Sequence, residues 1–277
     1  MYVPAVSRFR DWLFTVPFLV AFGLVLLLFD VAQRIARLFG QRPQEYVAGA
    51  LQVALVWCFR ICGTRLRVER SPHVRPRTPY LIIANHQSIF DVPIFGAQFF
   101  TNFPKYVSKK SLAKWIPSIS YNLRRGGNAL IDRGDPEQAV GAIQELAAQV
   151  RERGVSAVIF PEGTRARHGE LGKFRRRGAL ALLEAAPETA VVPVCIDQSW
   201  HLLRNNLMPV PFGTRVHVWI GDPIPRGPGE DREALLATVE HLIRTTLERL
   251  HGAAGRAVVP QVSGKCADDT CPTARPE

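Results

Sequence analysis

Leu81–Pro93, LIIANHQSIFDVP, is the stretch on which the reading of this chain turns. Four apolar residues stop abruptly, and Asn85, His86, Ser88 and Asp91 follow. An apolar run closed by turn-forming residues reads as a buried strand handing over to a helix. Ser88 and Asp91 have the S-x-x-D spacing of a capping box, which by itself leaves His86 an incidental loop residue. The competing reading pairs His86 with Asp91. On one continuous helix five residues turn through about 140°, so the two side chains would not share a face. If His86 instead sits in the turn before the helix, its ring folds back over the first turn. Asp91 then accepts from one ring nitrogen and leaves the other as a base. Such a site lies at the carboxyl end of a strand, where α/β folds place their ligands. Ser88 lacks a G-x-S-x-G elbow and reads as a cap rather than a nucleophile.

Similar apolar runs recur at Tyr80–Asn85, Ser156–Phe160, Ala190–Asp197 and Arg215–Gly221, with helical patterns at Pro136–Arg153, Gly178–Ala186 and Arg232–His251. Short apolar strands alternating with helices predict an α/β fold: a mixed, largely buried β-sheet flanked by helices. The last stretch, 252–277, is rich in Gly, Ala, Pro and polar residues and reads as a disordered tail.

The N-terminal 63 residues differ. Trp12–Phe29 is an uncharged apolar run close to the length that crosses a hydrocarbon core, with Pro17 inside it. A second apolar stretch, Tyr46–Gly63, has an uncharged core too short for a span. Two apolar helices joined by GQRPQE predict a membrane-docking hairpin over residues 1–63, ahead of an α/β domain at 64–251. A cleaved signal peptide fits less well, since no small-residue cleavage site follows.

The 277-residue chain carries a formal charge of +11 despite being 47% apolar, which points to an anionic partner. Its five cysteines are scattered and form no zinc or disulfide framework, and reduced thiols are the simplest reading. Two further segments carry charge at strand ends. Phe160–Ala179 (FPEGTRARHGELGKFRRRGA) opens with a Pro-Glu-Gly turn followed by Arg165 and the cluster Lys173, Arg175, Arg176 and Arg177. A glycine turn with backbone N–H groups and an Arg fork suits a phosphate, whereas a solvated basic loop is the plainer alternative. Arg124–Asp135 (RRGGNALIDRGD) reads as a turn, a strand and the Asp132–Arg133 pair.

Together these blocks resemble the lysophosphatidate acyltransferase family, the 1-acyl-sn-glycerol-3-phosphate acyltransferases and their glycerolipid relatives. His86 through Asp91 is similar to the family's H-x-x-x-x-D block, and Gly127–Arg133 to its G-x-x-F-I-D-R block with Leu130 in place of Phe. Phe160–Arg165 matches F-P-E-G-T-R, with Ala166 where Ser is usual, and Val192-Pro193-Val194 is similar to an apolar V-P-V block. The resemblance covers about Thr64 to Gly221. It implies direct transfer from an acyl thioester, acyl-CoA or acyl carrier protein, to the hydroxyl of a lysophospholipid, with no metal and no bound cofactor. His86 would be the base and Asp91 its orienting partner. Glu162, Gly163, Thr164 and Arg165 would bind the acceptor phosphate, with Arg133 and Lys109 nearby and Glu162 bracing the loop. It also implies a membrane partner at the cytoplasmic face of the inner membrane rather than nucleic acid. The same chemistry on glycerol 3-phosphate, another lysophospholipid or a lyso-aminolipid stays open, as does a non-catalytic membrane-tethered binder of anionic ligands.

Overall fold

The structure is a computed structural model and describes residues 5–205, 208–227 and 229–256. Seven strands form one sheet: β1 Arg65–Arg70, β2 Leu81–Ala84, β3 Lys105–Lys109, β4 Ala129–Ile131, β5 Ala157–Ile159, β6 Val191–Asp197 and β7 Arg215–Ile220. Their spatial order is β1-β7-β6-β2-β5-β3-β4. Every neighbouring pair is parallel except β6–β7, where Val194 opposes Ile220 and Asp197 opposes His217. The predicted mixed, buried sheet is therefore what the chain forms.

Successive residues of a strand face opposite sides. Leu81, Ile83, Ala157, Ile159, Val191 and Cys195 pack under three helices, α5 Pro136–Arg153, α6 Arg176–Ala185 and α7 Arg232–Arg256. Ile82, Ala84, Val158, Val192, Val194 and Ile196 pack on the other face, against Phe18, Phe59, Phe95 and Phe99 from the N-terminal half. With both faces covered, the central strands show no polar alternation, which is why they read as plain apolar runs.

Two strands escaped the sequence reading. In β1, Arg-Leu-Arg-Val-Glu-Arg is an edge strand on which only Leu66 and Val68 pack inward. In β3, the buried Lys105 opens the strand, and its ammonium lies 2.9 Å from the equally buried Glu45. A lysine at a core position has no apolar signature.

The hairpin comprises α1 Ala5–Leu38 and α2 Gln41–Cys58. GQRPQE is not the linker expected: only Phe39 and Gly40 separate the helices, Gly40 at φ +117°, and Gln41 already begins α2 with Pro43 in its first turn. Both helices are long and apolar enough to cross a membrane. However, α1 is fastened to the domain along one stripe. Asp11 accepts from the Phe212 amide (2.9 Å), Thr15 from the Val210 amide (2.9 Å), and Phe18 stacks on Phe59. Further along, Phe22 meets Phe90 edge-on, Asp30 accepts from the Ser118 amide (2.6 Å), and Arg37 donates to the Arg125 carbonyl. From Asp11 to Arg37 that stripe is about 39 Å long at 1.5 Å per residue. The opposite face, with Leu13, Val20, Leu24, Leu27, Leu28 and Val31, is exposed.

Helix α2 packs against α1 and lies against α3 (Asp91–Gln98). The approach is so close that a Cβ on Gly96 would fall 1.0 Å from Gln52 Oε1. Helix α4 (Ile119–Arg125) follows the loop after β3. At the other end of the chain, α7 runs to Arg256 rather than stopping at His251, so residues 252–256 are helical and not tail. The remainder of the expected tail, with Cys266 and Cys271, lies outside the described residues. Cys58, Cys62 and Cys195 are free and buried.

Candidate active site

Strands β6, β2, β5, β3 and β4 run the same way, so their carboxyl ends share one edge. The segments carrying His86, Glu162–Arg165, Lys109 and Arg133 all leave the sheet there. A parallel sheet thus gathers residues that are far apart in sequence into one row.

His86 sits in the turn between β2 and α3, not on the helix. Its Nδ1 lies 2.9 Å from Asp91 Oδ2, the first residue of α3. The same oxygen accepts from the backbone N–H groups of Gln87 (2.7 Å) and Ser88 (2.8 Å). The two readings of the motif therefore coexist. Asp91 does reach back to the Ser88 amide as a capping box requires, and it holds the imidazole with the same oxygen. The other half of the box differs: the Ser88 hydroxyl accepts from the Phe90 amide at 3.2 Å, and the helix start itself has no side-chain cap. Ser88 is fully buried.

With the Asp91 carboxylate accepting at Nδ1, the ring proton belongs there and the Nε2 lone pair is free. Nε2 has no hydrogen-bond partner among the described residues. Asp91 is 0% exposed and His86 16%, so the pair is sunk but open on the His86 side. The ring lies flat on Phe160 (4.2 Å between centroids, 18° between planes), which fixes its tilt. Asn85, one residue earlier, clamps β2 to β6 with both ends of its amide: Nδ2 donates to the Ile196 carbonyl (2.8 Å) and Oδ1 accepts from the Ile196 amide (2.7 Å). Neither Asn85 nor Phe160 was singled out from sequence. Asn85 stood beside the motif histidine, but its partner is 111 residues away.

The second segment turns on Gly163, at φ +64°, a conformation that favours glycine. It docks on the first segment through two bonds. The Ala166 amide donates to the His86 carbonyl (2.7 Å), and Glu162 Oε1 accepts from the His86 amide (2.6 Å). Glu162 Oε2 accepts from the Gly172 amide at 2.7 Å. Both Glu162 oxygens are thus engaged on backbone and the residue is buried. It braces the loop and does not face a substrate, so its place among phosphate-binding groups is corrected to its bracing role. Burial pushes its carboxyl above the usual range, while the two amides pull the other way.

Arg165 is partly exposed, one residue from the amide that holds His86, and its guanidinium has no partner among the described residues. The Arg175 side chain passes over Gly163, with Cδ only 3.2 Å from where a Cβ would stand. A glycine turn is thereby flanked by two unpaired guanidinium groups, and Thr164 is exposed between them. Arg175 is a second basic residue at this turn that sequence reading left inside a general cluster. Lys109 and Arg133 are exposed on the same edge but further along it. At about 4.8 Å per strand, β3 and β4 end roughly 10 and 14 Å from β2.

A cavity of about 500 Å³ opens beside α3, lined by Phe59, Leu66, Ile94, Leu202 and Val216, with Arg60 also on its wall. Because β7 is antiparallel to β6, Val216 starts its strand near the same sheet edge, and Ile94 lies one helical turn after Asp91. Among the described residues no group of His, Cys, Asp and Glu is arranged to hold a metal ion.

The acyltransferase family model matches residues 65–197. The lyso-ornithine lipid O-acyltransferase of Pseudomonas aeruginosa is 30% identical over 211 residues, covering 69% of this chain and 76% of that protein. The 1-acyl-sn-glycerol-3-phosphate acyltransferase of Limnanthes douglasii is 26% identical over 202 residues, 70% of this chain and 65% of that protein. For the enzyme of the same name from Escherichia coli the figures are 32% over 126 residues, 46% and 50%. The match thus spans less than two thirds of the length of the last two. Among solved structures, the LPA acyltransferase PlsC of Thermotoga maritima shares the fold, with a TM-score of 0.70 at 20% identity, over 88% of this chain and 98% of that one. The chain belongs to the acyltransferase family.

Proposed function

We propose that the protein moves a fatty acyl group from an acyl thioester, acyl-CoA or acyl carrier protein, to the free hydroxyl of a lysophospholipid. The favoured acceptor is 1-acylglycerol 3-phosphate, giving phosphatidate. The observation that carries this reading is the oriented imidazole: Nδ1 held on the buried Asp91 carboxylate and Nε2 unpartnered among the described residues, with Arg165 in the turn whose Ala166 amide holds the His86 carbonyl.

In this reading His86 Nε2 takes the proton of the acceptor hydroxyl as its oxygen attacks the thioester carbonyl. Asp91 offsets the positive charge that develops on the ring. The C–O bond forms, the C–S bond breaks, and the departing thiolate recovers the proton from His86. A thioester is already activated, so no metal or bound cofactor is required. Full burial of Ser88 supports direct transfer, because no hydroxyl of the motif is presented as a nucleophile. Arg165, Thr164 and the Gly163 turn hold the acceptor phosphate, Arg175 adds charge there, and Lys109 and Arg133 extend the basic edge. The cavity beside α3 takes an acyl chain along its Phe59, Ile94, Leu202 and Val216 side, with Arg60, Thr64 and Arg65 on the polar part of its wall, and its size lies in the usual range of ligand pockets.

The membrane is the second partner. Because α1 is fastened to the domain for about 39 Å, it lies along the bilayer surface with its apolar outer face in one leaflet. Standing it across the bilayer would draw polar domain surface into hydrocarbon. An acyl-CoA or acyl carrier protein donor is made in the cytoplasm, which supports a reading of this surface as lying on the cytoplasmic face of the inner membrane.

The test is thiol release from an acyl thioester with lysophosphatidate, compared between the wild type and His86→Ala. Loss of a general base costs ~10²–10⁴-fold, and near-normal turnover by a folded variant would remove His86 from the mechanism. A lyso-aminolipid run in parallel decides the acceptor: turnover of that substrate in preference to lysophosphatidate would refute the phosphate-binding role of the Gly163 turn.

A further inference from the structure

The loop between β3 and α4 presents Trp115, at 95% exposure, together with exposed Leu112 and Ile116. Lys110 and Lys114 are exposed on the same loop and Lys109 at the end of β3 just before it, and no acidic residue lies between Lys105 and Ser120. Burying these side chains was available to a loop adjoining a large core, yet the backbone is set to turn them out. Trp115 adopts φ +66° and Ser118 φ +66°, the left-handed region that bulky residues avoid. The conformation is held from three sides. The Ile116 amide donates to the Ser120 hydroxyl (3.0 Å), Arg124 donates to the Ala113 carbonyl, and the Ser118 amide donates to Asp30 of α1 (2.6 Å). Gln33 of α1 also donates to the Ser118 carbonyl.

These last two bonds tie the loop to the end of α1 whose outer face exposes Leu27, Leu28, Val31 and Ile35. The loop is therefore packed beside the stretch of α1 whose outer face is assigned above to the bilayer. Its composition, one tryptophan and two aliphatic side chains ringed by lysines, suits the headgroup boundary of an anionic membrane. It leaves the sheet at the carboxyl end of β3, the edge that carries His86.

We propose that residues 110–118 form a second membrane anchor, separate from the N-terminal hairpin. Trp115, Leu112 and Ile116 insert at the headgroup–acyl boundary, and Lys110 and Lys114 meet anionic headgroups. Two anchors, α1 and this loop, fix the rotation of the domain about α1 and turn the carboxyl edge of the sheet toward the lipid surface, from which a lysophospholipid enters. The proposal rests on the membrane reading of α1 but not on the chemistry assigned to His86.

The test uses the full chain and vesicles of phosphatidylcholine with phosphatidylglycerol, the acyl chains brominated to quench tryptophan. The chain has five tryptophans, so the signal is the difference between the wild type and Trp115→Phe. Quenching of that difference signal is expected. Co-sedimentation with vesicles but no quenched Trp115 component overturns the loop proposal and leaves the hairpin reading standing. Absence of co-sedimentation overturns both, whatever the activity.

Trp115→Glu should weaken partitioning by about tenfold or more, the equivalent of one large apolar side chain returned to water. Transfer to a vesicle-borne acceptor should fall with it, while transfer between short-chain, monomeric substrates stays unchanged. Equal losses on both substrates would make the loop a support of the site. A loss only with an acidic carrier-protein donor would make the lysines a protein-docking patch. Either result overturns the anchor.

Discussion

Asp91→Asn separates capping from catalysis more sharply than any other substitution. Asparagine can place its carbonyl oxygen where Oδ2 stands and keep all three acceptor contacts, to His86 Nδ1, the Gln87 amide and the Ser88 amide. Its NH₂ then replaces Oδ1, which is buried without a hydrogen-bond partner. The amide therefore gains no acceptor, and the structural cost is that of unsatisfied buried donors, ~1–3 kcal/mol. For a chain of this size each kcal/mol lowers Tm by roughly 2–4 °C. The chemical cost is separate. A carboxylate about 4 Å from an imidazolium, at an effective dielectric constant of 20, stabilises it by about 4 kcal/mol, or roughly a thousandfold in rate. The expected variant is folded, melts several degrees lower, and loses about three orders of magnitude in kcat/KM for thiol release. A variant that melts lower but keeps its rate within roughly tenfold, a deficit of about 1.4 kcal/mol, would show that Asp91 serves the turn alone and that His86 needs no counter-charge.

Other substitutions probe the surroundings of that pair. Arg165→Lys replaces a fork by a point charge, so the acceptor KM should rise about tenfold, from the loss of a charge-assisted bond worth roughly 1.5–3 kcal/mol, while the thioester KM changes little. Equal effects on both would mean that Arg165 only shapes the loop. Glu162→Gln leaves one of two backbone donors, the His86 or the Gly172 amide, facing an NH₂, and should cost ~1–3 kcal/mol by denaturant titration; an unchanged midpoint would refute the brace. Glu45→Gln removes the carboxylate that Arg42, Lys105 and Arg153 share, and leaving the buried Lys105 uncompensated should lower stability by ~3–5 kcal/mol. Burial already pushes Lys105 down to about 8 from 10.5. Between those pH values the unfolded chain holds a proton that the folded one sheds, so this group makes stability rise with pH across that window. Lys105→Met should flatten the rise, and an identical pH profile would show Lys105 to be ordinary.

The sequence by itself determined the central strands, the long helices and the order of the motif blocks. Where a strand is buried on both faces its apolar run is unbroken, as in Leu81–Ala84 and Val191–Asp197. Where an amphipathic helix covers the sheet its period shows, and Pro136–Arg153 was bounded from sequence as it stands in the fold. His86 and Asp91 were legible for a related reason: their partnership is local, five residues across one turn.

Tertiary structure decided what depends on distant chain. The edge strand β1 and the lysine-opened β3 have no pattern of their own, because one is half solvated and the other stabilised by Glu45 from α2. The placing of α1 along the domain rather than away from it rests on polar contacts at Asp11, Thr15 and Asp30 with residues up to 201 positions distant. Glu162 was expected to brace its loop as well as to join the phosphate-binding groups, but only the fold shows what it braces: the backbone amides of Gly172 and of His86, the latter 76 residues upstream. Asn85, Phe160 and Arg175 gain their positions in the same way. Periodicity records which face of an element is buried, but not which partner is waiting on the other side, and a site assembled at a sheet edge is made of those partners.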